Sequence, residues 1–263
     1  MGACYAAGRG VAKNELEAAR WYRKAADQGH AAAQNNLGVC YENGRGVPRD
    51  EAEAVKWFRK AADRGDAPAQ TNLGECYAAG RGVATDEAEA VRWYRQAAEL
   101  GNLKAQTKLG ECYEMGRGVA KDEAEGLRWF RQAADQQYAK AEGWVGWCYE
   151  MGRGVPKDAA EAVAWYRKAA DQGFPQAQSN LGVMYRNGRG VARDDAQAVA
   201  WYRKAADQGF PQAQSNLGAM YIDGRGVPRD VAQAVAWFRK AADQGNVPAQ
   251  QTLRMMEADG LIK

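Results

Sequence analysis

Apolar residues recur along the chain with two alternating helical patterns separated by short polar, glycine-rich segments. In the segment 30–65, the first pattern has the i, i+4, i+7, i+8 spacing of a buried helix face: Ala33, Leu37, Cys40 and Tyr41. The second pattern has a similar helical spacing: Ala54, Trp57, Phe58 and Ala61. The segment therefore predicts two helices of about a dozen residues joined by a short loop, which form an antiparallel αα-hairpin.

The hairpin pattern repeats every 36 residues without insertion or deletion. Residues 174–209 and 210–245 are identical at 30 of 36 positions. The period divides the chain into a partial repeat, six complete repeats and a terminal helix: 1–29, 30–65, 66–101, 102–137, 138–173, 174–209, 210–245 and 246–263. Because each repeat of such an array contacts mainly its neighbours, we expect one all-α solenoid domain, 1–263.

Specific residues mark where each predicted helix ends and begins. Asn43 and Gly44 tolerate the left-handed conformation of a helix C-cap, and a Gly-Arg-Gly-Val turn follows them. Asp50 and Glu53 have the spacing of a capping box. The other repeats have the same spacing: Asn14/Glu17, Asp86/Glu89, Asp122/Glu125, Asp158/Glu161, Asp194/Gln197 and Asp230/Gln233. Gly38 is expected to let a neighbouring helix approach closely.

The two ends of the repeat array differ from its middle. The first unit lacks the seven residues that begin the other units, as expected for a fragment of a longer protein. Its end is predicted to expose apolar surface that is open to end-to-end contact with another molecule. In the last helix, Arg254 and Glu257 replace the usual Gly and Tyr, which suits an end that no further repeat covers.

The repeated motif resembles that of the Sel-one-like repeat (SLR) family, a relative of the tetratricopeptide repeats. One repeat shows it well: Ala67-Pro68-Ala69-Gln70, Leu73-Gly74, Tyr77, Gly80-Arg81-Gly82-Val83, Asp86, Trp93-Tyr94 and Ala97-Ala98. The resemblance covers the whole chain. It implies a right-handed superhelix of hairpins whose first helices line the concave face, and it implies a scaffold or adaptor that binds a protein or peptide.

Composition argues against several other classes of protein. Lys and Arg total 36 against 33 acidic residues, and a net charge of +3 is too small for a nucleic-acid-binding surface. No apolar run approaches the roughly 18 residues of a membrane span. The chain has a single histidine, His30, which we expect to be solvated, and it has no nucleophile–base motif. We therefore expect no catalysis, no cofactor and no metal site; the compartment and oligomeric state stay open.

The cysteines and the arginines of the Gly-Arg-Gly-Val turns each occupy one repeated position. The cysteines share theirs with methionines, so we expect free thiols at apolar packing positions: Cys4, Cys40, Cys76, Cys112 and Cys148, continued by Met184, Met220 and Met256. The arginines, from Arg9 to Arg225, are expected to be solvated. Some secreted SLR proteins are similar but carry two cysteines per repeat, and some of these bind or hydrolyse β-lactams. That function is one alternative, and a purely structural spacer is another.

The variable positions of the first helices form a stripe spaced i, i+3, i+7, which we call the first-helix stripe and expect to bind the partner. Its candidate binding residues are Asn36, Asn43, Asn72, Glu75, Glu111, Met115, Trp144, Trp147, Met151, Asn180, Asn187 and Asn216. Asparagine amides could hold a peptide backbone, since they both donate and accept hydrogen bonds. The alternative is that asparagine is simply common at this position in the family.

Two tryptophans stand out in the first-helix stripe. Trp144 and Trp147 lie one turn apart and, with Met151 and Met115, predict an apolar patch for an apolar anchor of the partner. The nearby acidic residues, Glu75 and Glu111, suggest basic residues beside that anchor. The alternative is that the tryptophans plug a rearranged junction, because Gln137 replaces the glycine that ends the preceding helix in the other repeats and Gly143 lies beside them.

Overall fold

The computed structural model describes residues 1–261, which form fifteen α-helices and no β-strand. Odd-numbered helices are the first helices of the hairpins, and even-numbered helices are the second. The helices are α1 Gly2–Ala7, α2 Glu15–Ala26, α3 Ala31–Asn43, α4 Glu51–Ala62, α5 Ala67–Ala79, α6 Glu87–Glu99, α7 Leu103–Met115, α8 Glu123–Ala134, α9 Ala139–Met151, α10 Ala159–Asp171, α11 Pro175–Asn187, α12 Asp195–Asp207, α13 Pro211–Asp223, α14 Val231–Asp243 and α15 Val247–Ala258.

The helices form two compact units, Met1–Ala133 and a second that begins at Ala134. Within each unit, helices that follow one another along the chain pack together, including α7 with α8 through Gly110 and Phe130, which confirms the predicted all-α array of hairpins. The single domain expected from the uninterrupted period stays a prediction. The terminal helix, predicted over 246–263, ends at Ala258, and its last two predicted residues lie outside the described range.

A glycine in each first helix sets the distance between the two helices of a hairpin. A Cβ added at Gly38 would lie 2.6 Å from the ring of Phe58, which is closer than any real Cβ contact. The same arrangement recurs in both units, for example between Gly182 and Tyr202. The predicted close approach is therefore confirmed, and the approaching group is an aromatic ring of the same hairpin.

The repeated tryptophan joins one hairpin to the one before it. Trp93 of α6 is 8% exposed and shares a core with Ala62 of α4 and Leu73 of α5. In the second unit, Trp201 of α12 shares a core with Ala170 of α10 and Leu181 of α11 in the same way. Since a buried indole removes a large apolar area from water, this contact stabilises the stack of repeats.

The second helices are capped as predicted, but only on one side of the expected capping box. The Asp50 carboxylate accepts a hydrogen bond from the Glu53 backbone N–H at 2.9 Å. The Asp50 N–H donates to the Tyr41 carbonyl at 2.9 Å, and the Glu53 side chain binds Lys56 instead. The second predicted hydrogen bond, from the Asp50 N–H to the Glu53 side chain, is therefore wrong, because the Tyr41 carbonyl already accepts from that N–H.

The Gly-Arg-Gly-Val loop is also a contact between repeats. Gly46 has a φ of 69°, and a Cβ added there would lie 2.0 Å from the Glu15 carbonyl oxygen at the start of α2. Gly190 meets the Ala159 carbonyl at the same distance in the second unit. Only glycine fits here, since the backbones of successive repeats touch and the φ is left-handed.

Several arginines of this loop form ion pairs while staying partly exposed, so they are not simply solvated as expected. The pairs lie within single units and join each loop to an acidic side chain of the repeat before it: Arg81–Glu42 at 2.7 Å, Arg189–Glu150 at 2.9 Å and Arg225–Asp195 at 2.8 Å. The acidic partners stand 30 or 39 residues upstream, so the stacking of the repeats brings the charges together. These arginines serve internal contacts rather than an acidic partner.

Helices α2 and α15, near the two ends of the array, expose apolar side chains, and α15 also exposes charged ones. Leu16 and Trp21 on α2 are 50% and 36% exposed, as predicted for apolar surface near that end. On α15, Arg254 and Glu257 are exposed as predicted, but Met255 beside them is 59% exposed. The last helix is therefore not a purely polar cap, and end-to-end contact stays a prediction.

Gln137 takes the left-handed conformation that glycine has at the other hairpin junctions. Its φ is 60°, where the equivalent Gly173 has a φ of 88°. Replacing Gln137 with Gly should stabilise the chain by about 0.5–1 kcal/mol, because the strain of a side chain in this region outweighs the added freedom of the unfolded glycine. Urea unfolding followed by circular dichroism measures the change.

The matched control is Gly173→Gln, since a Cβ at Gly173 meets no atom within 4 Å and tests the backbone alone. It should lower stability by a similar amount. A stability decrease in Gln137→Gly would contradict the assignment of strain to this residue.

Candidate functional site

The first-helix stripe is only partly accessible in the first unit. Asn36, Asn72 and Glu75 are half-buried, whereas Asn43 and Met115 are exposed. Glu111 was expected on the accessible surface, but the residue is only 6% exposed. Glu111 is therefore corrected from a binding residue to a largely buried one.

The two predicted acidic residues are already neutralised. Glu75 binds Lys104 at 2.8 Å, and Glu111 binds Lys108 at 3.0 Å. Because each carboxylate has a lysine of its own unit, neither gives a strong reason to expect basic residues in the partner.

Most of the predicted asparagines use their amides inside the protein. Asn72 donates to Asn35 of the preceding repeat at 2.9 Å, and Asn43 donates to the Val39 carbonyl of its own helix at 2.9 Å. In the second unit, three more have side-chain partners: Asn180 with Tyr166, Asn187 with Arg186, and Asn216 with Gln212. Five of the six asparagine amides therefore have an internal partner, although Asn187 and Asn216 only accept a hydrogen bond, at 3.4 Å.

The tryptophan pair on α9 forms a compact apolar surface in the second unit. The rings of Trp144 and Trp147 lie edge to face, with centroids 5.4 Å apart and an interplanar angle of 86°. Both side chains are half-buried, and Met151 one turn further is 42% exposed. Trp147 also packs against the core that contains Tyr166, which fixes the position of the pair.

The junction before α9 keeps the geometry of the other repeats. The helix begins at Ala139, the position that the 36-residue period gives, and Gln137 has the left-handed φ of the glycines it replaces. A Cβ at Gly143 would lie 3.1 Å from the Phe174 ring, so this glycine makes room for the next junction. The structure therefore removes the reason for the alternative in which the tryptophans plug a rearranged junction.

A buried carboxyl group near this surface was not anticipated. Glu142 is 3% exposed and accepts a hydrogen bond from the Gln172 amide at 2.6 Å. It lines a recess of about 430 Å³ with Trp165 and Lys168. Burial raises the pKa of Glu142, and this effect exceeds the opposing effects of Lys168 and Gln172.

Glutamine occupies the position of Glu142 in the neighbouring repeats. The Gln178 side chain donates to the Ala170 carbonyl at 3.1 Å and accepts from Gln208 at 2.8 Å. A carboxylate can only accept, so Glu142 cannot repeat the first of these bonds when ionised. The change of Gln to Glu at one repeat was visible in the sequence as a break in the period.

The cysteines are free, and four of the five are buried, as expected of packing positions; Cys4 is half-buried. Burial raises the pKa of Cys76 and that of Cys112 to about 11. His30 is exposed at the start of α3, as predicted. Among residues 1–261, no cluster of side chains could hold a metal ion, and no helix is long and apolar enough to cross a membrane.

Comparisons with known proteins identify the repeat. The family model of the Sel1 repeat matches seven consecutive segments: 1–30, 31–66, 67–102, 103–138, 139–174, 175–210 and 211–246. A Sel1 repeat protein from Oxalobacter formigenes is 41% identical with a TM-score of 0.79, over 97% of this chain and 74% of that one. A comparison with curated proteins found no match.

Two further structures are similar. The protein c5321, a protective antigen present in uropathogenic Escherichia coli strains, is 38% identical with a TM-score of 0.75. The match covers 96% of this chain and 54% of c5321, so this chain spans about half the length of that protein. The immunity protein Pa5087 from Pseudomonas aeruginosa is 25% identical with a TM-score of 0.54, over 80% of this chain and 81% of that one.

Replacing Glu142 with Gln should stabilise the protein by about 1–2 kcal/mol at pH 8. The amide can donate to the Ala134 carbonyl, as Gln178 does to Ala170, and no charge is then buried. Because the folded pKa of Glu142 is raised, the folded state binds the proton more tightly, so the wild type recovers stability as the pH falls. The advantage of the variant should therefore shrink between pH 8 and pH 4.5.

The reverse substitution, Gln178→Glu, is the matched control and should destabilise the protein more at pH 8 than at pH 4.5. Urea unfolding at several pH values measures both variants. An advantage of Glu142→Gln that does not change with pH would contradict a raised pKa.

Proposed function

Because the chain belongs to the Sel1 repeat family, we propose that it is an interaction scaffold whose surface around Trp144 and Trp147 binds an apolar segment of a partner protein. Proteins of this family are generally non-catalytic repeat proteins, and typically they are protein-interaction scaffolds. The resemblance supports the class of function, and the residues of α9 support the position of the site.

The tryptophan pair is the observation that carries the proposal. In the next two repeats, the positions of Trp144 and Trp147 hold Asn180 with Val183 and Asn216 with Ala219. Nothing in the repeat requires indoles there, since the hairpins of α11 and α13 form without them. A half-buried aromatic pair next to an exposed methionine has the composition of a binding hot spot.

The geometry also limits the chemistry of the partner. The edge-to-face rings offer apolar faces, and the Met151 side chain can adapt its shape to a bound group. The Arg153 guanidinium lies 5.8 Å from the centroid of the Trp147 ring, at the edge of the patch. We therefore expect a leucine-like or aromatic anchor.

The two alternative functions, a structural spacer and a β-lactam-hydrolysing protein, predict different experimental results. A spacer would select no ligand, and a β-lactam-hydrolysing protein would turn over nitrocefin at a rate that depends on residues of this chain. No contact among residues 1–261 favours either of them over binding.

The proposal predicts that Trp144→Asn with Trp147→Asn weakens binding by about 2 kcal/mol or more, which is a roughly thirtyfold rise in Kd. The probes are peptides selected against the purified chain from a random peptide library. Calorimetry measures their Kd, and sequencing shows whether they share an apolar anchor.

Val183→Asn is the matched control, because it changes the position equivalent to Trp147 one repeat later. It should leave the Kd within about threefold. Since Trp147 contacts the core, Trp144→Asn is also measured alone, with thermal unfolding of every variant. Unchanged peptide binding by the folded double variant would rule out this surface.

A further inference from the structure

A recess of about 250 Å³ opens in the first unit beside Ala6, and we call it the Ala6 recess. Helices α1, α2 and α3 and the loop after α3 enclose it. It is lined by Ala6, Lys13, Glu15, Ala18, Tyr22, Asn36, Val39, Cys40 and Arg45. Hydroxyl, amide and guanidinium groups thus surround a space where the protein places only a methyl group.

A later repeat shows what the same framework holds when that space is filled. In the second unit, the Glu150 carboxylate accepts a hydrogen bond from the Tyr166 hydroxyl at 2.6 Å and pairs with Arg189 at 2.9 Å. The Asn180 side chain also hydrogen-bonds to Tyr166. The Glu150 side chain is only 10% exposed, so this is a largely enclosed carboxylate site.

The two places correspond residue by residue, four repeats apart. Ala6 stands at the position of Glu150, and the other three groups are identical: Tyr22 for Tyr166, Asn36 for Asn180, and Arg45 for Arg189. The Ala6 recess is therefore the Glu150 site without its carboxylate, and with Glu15 in the place of Ala159.

The groups that bind the carboxylate in the later repeat have no partner in the Ala6 recess. Within residues 1–261, the Tyr22 hydroxyl, the Asn36 amide and the Arg45 guanidinium make no hydrogen bond or ion pair to the protein. Hydroxyl, amide and guanidinium are the donors that a carboxylate requires, and charge-assisted hydrogen bonds are the strong ones.

We propose that the Ala6 recess binds a carboxylate group, in the place that the Glu150 side chain fills in the later repeat. The charges of the recess permit this. Lys13 pairs with Glu15 at 3.4 Å, which offsets the acidic side chain, and Arg45 leaves one net positive charge. The bound carboxylate thus gains a cation and a hydroxyl, and the Lys13 ammonium offsets the charge of Glu15.

A second alanine at this repeat position shows why the proposal is confined to Ala6. The recess at Ala78 is smaller, about 70 Å³, and it is lined by Tyr94, Lys108 and Arg117. There Lys108 stands at the position of Asn36, and it pairs with the buried Glu111 at 3.0 Å. Each recess is lined by one acidic residue, Glu15 or Glu87, but the Ala78 recess has a second carboxylate nearby, Glu111, where the first repeat has Val39.

The carboxylate could belong to a free small acid or to a Glu side chain of a peptide, and the chemistry of the recess is the same for both. The site is separate from the tryptophan surface of the second unit and does not depend on it. Its test therefore uses both kinds of probe: sodium acetate, and a short capped peptide with one central Glu, compared with the same peptide carrying Gln.

Binding is followed by NMR titration of the intact chain at pH 7 and constant ionic strength, with sodium chloride as the reference salt. We expect acetate or the Glu peptide to shift signals around Tyr22 and Arg45, and the Gln peptide to shift none. Ala6→Glu should abolish binding, because its own carboxylate fills the recess. Tyr22→Phe should weaken it by roughly tenfold through loss of the hydroxyl donor.

The matched variant is Glu150→Ala, which should open an equivalent recess in the second unit and gain acetate binding near Tyr166. This variant also keeps the test decisive if Ala6→Glu fails to fold. Binding of the Glu peptide without acetate binding assigns the site to a peptide, and the reverse assigns it to a free acid. If neither probe binds more tightly than chloride, or if Ala6→Glu and Tyr22→Phe leave binding unchanged, the proposal is overturned.

Discussion

The contact between a glycine of the first helix and an aromatic ring of the second is the constraint on which the rest of each hairpin depends. With the Phe58 ring 2.6 Å from where a Cβ of Gly38 would lie, no other residue permits the same helix separation. That separation sets the shape of the core into which the tryptophan of the following repeat packs. The loop glycine, Gly46, then brings backbone against backbone between repeats. Both contacts are local, so they recur wherever the sequence recurs.

The same ring decides where polar chemistry appears inside the array. Where the ring is that of phenylalanine, as at Phe58, it carries no polar group that needs a hydrogen-bond partner. Where it is tyrosine, a hydroxyl is carried into the interior and needs one. Tyr166 finds Glu150, whereas the Tyr202 hydroxyl is buried with no partner within residues 1–261. One added oxygen atom therefore turns a packing position into a candidate binding position. The neighbouring residue determines whether the hydroxyl has a partner inside the protein, as Tyr166 does, or is left without one.

The 36-residue period made the fold predictable, because every predicted helix, cap and packing glycine depends on contacts within one hairpin. Residues involved in contacts between repeats were harder to interpret. The ion pair of Arg81 with Glu42 spans 39 residues, for example, and the period does not show that Glu111 is largely buried. A period shows which residues are equivalent, but it does not show how far one repeat is rotated on the next. The variable positions do lie on the first helices, whereas the internal hydrogen bonds of their asparagines are visible only in the structure.

Fixed scaffold contacts and variable stripe positions together explain how such a chain can acquire a binding site at little cost in stability. Trp147 is anchored, since one part of its ring packs on the core that holds Tyr166, and Trp144 is held edge to face against it. Ordering two free tryptophans on binding would cost side-chain entropy, but this pair is already ordered by the fold. A repeat that places its aromatic pair against its own core therefore presents a preorganised surface. On α9 the period is broken by two indoles, and the same break gives that surface its apolar character.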